Sequence, residues 1–250
     1  MKAIILFASV FFLSCSSKPP EKIQTDRFIE SQNTADLLGE IIRITDDSRS
    51  VYPVFASGDS IIYFNRLLVS NPDDTTGRSL GELIKPYGIK ISDGELYTLS
   101  SEYEYIPGTP LNSVIDSIAG ENIVRQVKSP DGGVLAYETN IGGAPTSHTV
   151  YLARGDSTVQ LTYGGQPCFI DRFSNNGKYL VVICGLNSTS LVIFDMNTYV
   201  GYRIPNDNNS IDYSTSFSSD DRMMVFIRSD KQYSIGSSFL GDIWLFKFHD

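Results

Sequence analysis

The stretch that most limits what this chain can fold into is Lys128-Ser129-Pro130-Asp131-Gly132-Gly133-Val134-Leu135-Ala136-Tyr137, a polar turn segment leading straight into an apolar run. Pro, Asp and Gly between strand-forming residues read as a tight turn joining two strands. Asp131 can accept hydrogen bonds from backbone N–H groups inside such a turn, and Gly132 can take positive φ without steric cost. Two further strand-like runs follow, Thr149-Val150-Tyr151-Leu152-Ala153 and Val159-Gln160-Leu161-Thr162, which completes a unit of four short strands.

A lone four-stranded sheet cannot bury both of its faces, so such a unit has to recur. Phe173-Ser174-Asn175-Asn176-Gly177-Lys178-Tyr179-Leu180-Val181-Val182 and Phe217-Ser218-Ser219-Asp220-Asp221-Arg222-Met223-Met224-Val225-Phe226 match it position for position. Phe55-Ala56-Ser57-Gly58-Asp59-Ser60-Ile61-Ile62-Tyr63-Phe64 is a fourth copy, and Ile91-Ser92-Asp93-Gly94-Glu95-Leu96-Tyr97-Thr98-Leu99 a shorter fifth. Leads at residues 55, 91, 128, 173 and 217 are about 36 to 45 residues apart, the spacing of β-propeller blades.

These repeats resemble the TolB-type β-propeller repeat, a relative of the WD repeat that runs aromatic-Ser-Pro-Asp-Gly-Lys, strand, Asp-Ile-Tyr and strand, then Leu-Thr. Ser129 to Thr162 carry the resemblance best; Asp242-Ile243-Trp244-Leu245-Phe246 and Leu191-Val192-Ile193-Phe194-Asp195 match its third strand. It implies an all-β fold, a β-propeller of about five four-stranded blades covering residues 40–250. TolB itself carries an α/β domain ahead of its propeller, which the short polar segment before the first repeat does not match, so TolB's own partners are not carried over.

Ile41-Ile42-Arg43-Ile44-Thr45 repeats the outer-strand pattern Val159-Gln160-Leu161-Thr162, while the last unit stops after its third strand. We therefore expect this N-terminal strand to complete the last blade and close the ring, removing an exposed sheet edge. The weakest part is Leu67 to Gly120, where the short repeat spacing leaves little room for four strands. Four blades plus an insertion is the alternative to five.

Ahead of the repeats, residues 1–14 hold Lys2 and the apolar run Ala3 to Leu13, too short to span a bilayer but suited to a secretory signal peptide. With Cys15 directly after it, the segment resembles a bacterial lipoprotein signal; Ser14 fits that pattern just before the cysteine and Phe12 departs from its usual Leu. The resemblance implies that Cys15 is lipidated and that the protein is exported and anchored to a membrane of the cell envelope by its acyl chains. An ordinary cleaved signal with an incidental cysteine is the alternative. Residues 15–39 contain Ser-Ser-Lys-Pro-Pro-Glu-Lys and little apolar periodicity, and read as a flexible tether.

A net charge of −9 disfavours nucleic acid and direct docking on anionic lipid. The two histidines, His148 in a polar turn and His249 near the C-terminus, come without a Gly-x-Ser-x-Gly elbow or a His-x-His pair, so no catalytic residue, metal ligand or cofactor is assigned. Asp207 to Asp212 is acidic but places Ile211 where a calcium loop needs an oxygen, and reads as a solvated turn. Cys168 and Cys184 are equidistant from the turn at 176 and would face each other across a hairpin, which in an exported protein permits a disulfide; two reduced, buried cysteines is the other reading. Tyr103, Tyr105, Tyr163, Tyr199, Tyr202, Tyr213, Tyr233 and Trp244 form either a stacking platform or, more simply, packing between blades.

The expected function is thus a non-enzymatic, membrane-tethered propeller scaffold of the bacterial envelope that offers its loop faces to a protein or peptide partner. An envelope glycan-binding protein or a propeller-type polysaccharide lyase, whose base could be a Tyr or Lys, is the alternative.

Overall fold

The computed structural model describes residues 38–67, 84–98, 123–140, 148–163, 166–207, 209–230, 234–235 and 238–249. After strand β1 (Gly39–Arg43), the first sheet holds β2 (Ser50–Phe55), β3 (Ile61–Leu67), β4 (Ile84–Lys90) and β5 (Leu96–Thr98). The second holds β6 (Ile123–Lys128), β7 (Leu135–Asn140), β8 (His148–Arg154) and β9 (Ser157–Gln160), and the third β10 (Cys168–Phe173), β11 (Tyr179–Cys184), β12 (Ser190–Asp195) and β13 (Gly201–Arg203). The fourth is made of β14 (Ile211–Phe217) and β15 (Met223–Ser229), then, past a short hairpin of β16 (Ser234–Ile235) and β17 (Ser238–Phe239), β18 (Asp242–Phe248). All four are antiparallel and four-stranded, the fourth in the order β1-β18-β15-β14, so the N-terminal strand supplies its missing outer member.

Three apolar layers join these sheets in series. Leu180 and Val182 of β11 pack toward the second sheet, Val181 toward the fourth, so a strand buried on both faces reads as an unbroken apolar run. Val225, Ile227, Ile243 and Leu245 of the fourth sheet then cover Ile62, Phe64 and Ile89 of the first. The residues of β1 divide by the same period of two: Ile41 packs with the layer facing the third sheet, Ile42 with the layer facing the first. Phe173 and Phe217, one repeat apart, are both 8% exposed in successive layers. Replacing either with Ala is expected to cost about 3–5 kcal/mol in chemical denaturation; a silent substitution would mean the repeats are misaligned.

Each recurring turn sits between the first two strands of its sheet, and three of the four are wired alike. Ser129, Ser174 and Ser218 accept from Val134 N, Tyr179 N and Met223 N at 2.9 to 3.1 Å. Their hydroxyls donate to Asp131, Asn176 and Asp220, whose side chains also accept from Gly133 N, Lys178 N and Arg222 N. The fourth turn residue has positive φ throughout: Asp59 54°, Gly132 71°, Gly177 74° and Asp221 57°. Thr45 and Thr162, matched in sequence, also act alike, their hydroxyls accepting from Ile243 N and Val150 N, both at 2.9 Å.

The repeat at Ile91 corrects the five-lead count. Its turn joins β4 to β5, with Gly94 N donating to Lys90 O at 2.9 Å, and so ends the first sheet instead of opening another. Among the described residues there are four four-stranded sheets. The misreading has a cause in β4 itself: Pro86 and Gly88 interrupt Ile-Lys-Pro-Tyr-Gly-Ile-Lys, and both residues weaken a strand signal. The rest of the weakly read region, 68–83 and 99–120, lies outside the described residues.

Candidate functional site

Alternating strand direction gives the sheets two unlike ends. At one end lie the wired hairpins, linked from sheet to sheet. The carboxylate of Asp59 accepts from Ser219 N at 2.8 Å, and that of Asp221 accepts from Asn175 N at 2.8 Å and Asn176 N at 2.7 Å. In the next step Gly177 lies against Pro130, whose ring nitrogen has no proton to offer a carboxylate. Asp therefore stands where the neighbouring turn presents an N–H, and Gly where it does not.

The remaining connections, over 44–49, 68–83, 99–122, 141–147, 161–167, 185–189, 204–210 and 230–241, leave and rejoin the described strands at their opposite ends. There a layer of buried and part-buried acids ties sheet to sheet or sheet to connection. Asp242, at the start of β18, accepts from Arg43 Nη2 at 2.5 Å and Ser48 N at 2.8 Å. Asp47 accepts from Arg49 Nε at 3.2 Å and from Arg66 Nη2. Asp212, fully buried, accepts from Arg228 Nε at 2.7 Å and Nη2 at 2.9 Å; Arg228 also donates to the carbonyl of Pro205 at 2.8 Å. Burial pushes the Asp212 carboxyl upward against the opposing pull of Arg228. The indole of Trp244 lies between two guanidinium groups, Arg228 at 4.9 Å and Arg43 at 6.0 Å from its centroid.

Between the second and third sheets, Glu138 Oε1 accepts from Ile170 N at 2.5 Å, and Oε2 is 3.8 Å from His148 Nδ1. The His148 ring stands 4.6 Å from Phe169 and its Nε2 is 3.1 Å from Asn140 Nδ2. His148 thus opens strand β8 and is largely buried, not placed in a polar turn as its sequence neighbours suggested. Asp171 accepts from the Thr215 hydroxyl and from Arg172 Nε at 3.3 Å, and its carbonyl accepts from Arg125 Nη2 at 3.4 Å. Every first strand carries a register shift along its length, and two of these, in β2 and β14, hold non-glycine residues at positive φ, Tyr52 and Ser214.

Burial raises the Glu138 carboxyl, with Ile170 N, Arg125 and His148 pulling it back. The native state then binds the Glu138 proton more tightly than the unfolded chain. Its contribution is fully present below the unfolded value of about 4.3 and is lost as pH rises through the raised native value. Glu138→Gln keeps an oxygen for Ile170 N but cannot gain that proton. In urea denaturation, wild type should gain stability over this variant as pH falls from about 7 to about 4.5; a difference independent of pH would refute the assignment.

No catalytic or metal-binding residue was assigned from sequence, and Cys15 lies outside the described residues. Cys168 and Cys184 are paired directly across β10 and β11, Cα atoms 4.2 Å apart and sulfurs at bonding distance. Protein denatured without reductant should leave both unalkylated, and reductant should add two alkyl groups by mass; alkylation of both without reductant would overturn the pairing. Asp207 is a turn cap, accepting from Asn209 N at 3.1 Å and Ser210 N at 2.9 Å, and Ile211 begins β14. The aromatic residues do not assemble into one platform among the described residues. Tyr199 packs against the layer between the second and third sheets, Tyr213 against that between the fourth and first, and Trp244 against that between the third and fourth; Tyr103, Tyr105 and Tyr233 lie outside the described residues. Large apolar side chains at this end that remain exposed are Val124 at 53%, near the start of β6, and Leu186 at 54%, in the connection 185–189.

No protein-family profile and no curated protein matches the chain. Among solved structures it is similar to TolB from Acinetobacter baumannii, at 16% identity and a TM-score of 0.33 over 82% of this chain and 45% of that one. A putative TolB from Agrobacterium tumefaciens gives 14% identity and a TM-score of 0.36 over 78% of this chain and 62% of that one. An oligogalacturonate lyase from Vibrio parahaemolyticus gives 12% identity and a TM-score of 0.35 over 81% and 67%. The chain thus spans about half to three-fifths of the two TolB chains. The fold description rests on strand pairing and not on these likenesses.

Proposed function

We propose that this protein is a non-enzymatic binding scaffold of the bacterial cell envelope, held to a membrane through lipidated Cys15, and that it takes a protein or peptide partner on the end bearing the long connections. The observation that carries the proposal is the unequal division of the chain between the two ends. One end is closed by four short hairpins, three of them wired by a serine to an Asp or Asn two residues on. At the other end strands part for connections as long in sequence as the stretches between β3 and β4 and between β5 and β6, and ion pairs there, Asp242 with Arg43 and Asp212 with Arg228, brace the strand ends. Variable loops on a braced frame are the usual seat of recognition. Exposed Val124 and Leu186 add apolar surface at that end, where a partner would exclude water.

The reading also accounts for where the polar chemistry goes. Asp47, Asp242, Asp212, Glu138 and Asp171 each accept from a neighbouring strand or connection, which suits a rigid frame better than a reacting centre. The test is purification from detergent-solubilised envelope with the full chain as bait, comparing wild type, Leu186→Asp and Lys178→Asp. Recovery of one stoichiometric protein, lost with Leu186→Asp and kept with Lys178→Asp, supports the reading. Retention by both variants, or loss with Lys178→Asp alone, moves the site elsewhere.

A further inference from the structure

We infer that the hairpin end of the molecule is the surface that lies against the bilayer, so that the long connections are held on its far side. This rests on the reading of Cys15 as a lipid anchor and gives that anchor a direction.

β1 begins at Gly39, paired with Phe248, and His249 N donates to Leu38 O at 2.9 Å. Phe248 N donates in turn to the carbonyl of Arg222, inside the hairpin between β14 and β15, at 2.9 Å. The chain before residue 38 therefore joins the fold at the hairpin end. From there β1 runs the height of the sheet and delivers Arg43 to Asp242 at the opposite end.

The length of the preceding segment makes this geometry consequential. Residues 15 through 37 number 23; on the reading of this stretch as a tether, a chain of that length has a root-mean-square span of about 26 Å. A seven-residue strand such as β18 is about 23 Å tall. With the hairpins toward the lipid, the segment has no sheet to climb. Turned the other way, the segment would have to cover that height before meeting lipid, which uses most of its average span and costs chain entropy.

The experiment uses the full, lipidated chain in vesicles of phosphatidylethanolamine and phosphatidylglycerol with an acceptor dye on a lipid headgroup. A donor dye is placed by Lys178→Cys on the hairpin end or by Leu186→Cys on the other. Energy transfer from position 178 is expected to exceed that from position 186 at least twofold. Equal transfer, or more from position 186, overturns the orientation. The anchor is read separately by flotation with Cys15→Ser: vesicle association that does not need Cys15, or none with wild type, removes the anchor and the orientation with it. Association that needs Cys15 together with equal transfer removes the orientation alone.

Discussion

A chain lacking residues 39–46 is expected to lose cooperative unfolding, because that segment is a structural member of the fourth sheet. β1 pairs with β18 over five residues, from Gly39 with Phe248 to Arg43 with Trp244. Its removal uncovers apolar surface on two layers at once, where Ile41 and Ile42 pack on opposite sides. A fully buried aliphatic side chain of that size contributes about 1.5–3 kcal/mol, and Ile41 and Ile42, both partly buried, contribute a share of that each. The deletion also takes Arg43 and Thr45 from Asp242, leaving a buried carboxylate with one partner fewer for each. Together these losses are of the same order as the whole stability of a domain, about 5–15 kcal/mol. Thermal denaturation followed by circular dichroism checks it: a sharp transition for the parent, a shallow one or none for the truncated chain. A truncated protein that melts like its parent would mean that β1 adds nothing to the sheet.

The second large effect is expected from Asp212→Ala, which leaves Arg228 with the Pro205 carbonyl but without its carboxylate. The Arg228 side chain is 13% exposed, and a guanidinium that water can barely reach is costly to strand. Breaking such a pair from one side costs about 3–5 kcal/mol, whereas replacing both members with apolar residues of similar size is often neutral. Urea denaturation of Asp212→Ala should show the loss, and Asp212→Leu combined with Arg228→Met should recover most of it. A single variant within about 1 kcal/mol of wild type would show that Arg228 reaches solvent after all.

What the sequence made legible is what short-range chemistry encodes. Four turns stood out because each demands the same few residues within a handful of positions; the structure returns positive φ in all four, at Asp59, Gly132, Gly177 and Asp221, and the serine bond in three, at Ser129, Ser174 and Ser218. The pairing of β1 with β18 was readable from one threonine, since Thr45 and Thr162 occupy equal places in the outer-strand pattern. β4 was not, because Pro86 and Gly88 break a period-two signal that its neighbours in the sheet nonetheless overrule. The acid layer was equally hidden. Glu138 meets Ile170 N, and Asp171 meets Thr215, only after two sheets are packed. No spacing along the chain announces such contacts, and the nearest signal was the choice of Asp or Gly at the fourth turn position, which depends on whether the adjoining turn offers an N–H.

The joining of the first strand to the last sets a timetable for folding. A ribosome releases Gly39 to Arg43 some two hundred residues before their partner Asp242 to Phe248 exists, so three sheets can assemble while the earliest strand has nothing to pair with. Contacts that distant slow folding, and the fourth sheet is the step that must wait. Until β18 has been made the β1 segment is an unsatisfied edge, and the newborn chain is at its most vulnerable to aggregation and proteolysis in that interval.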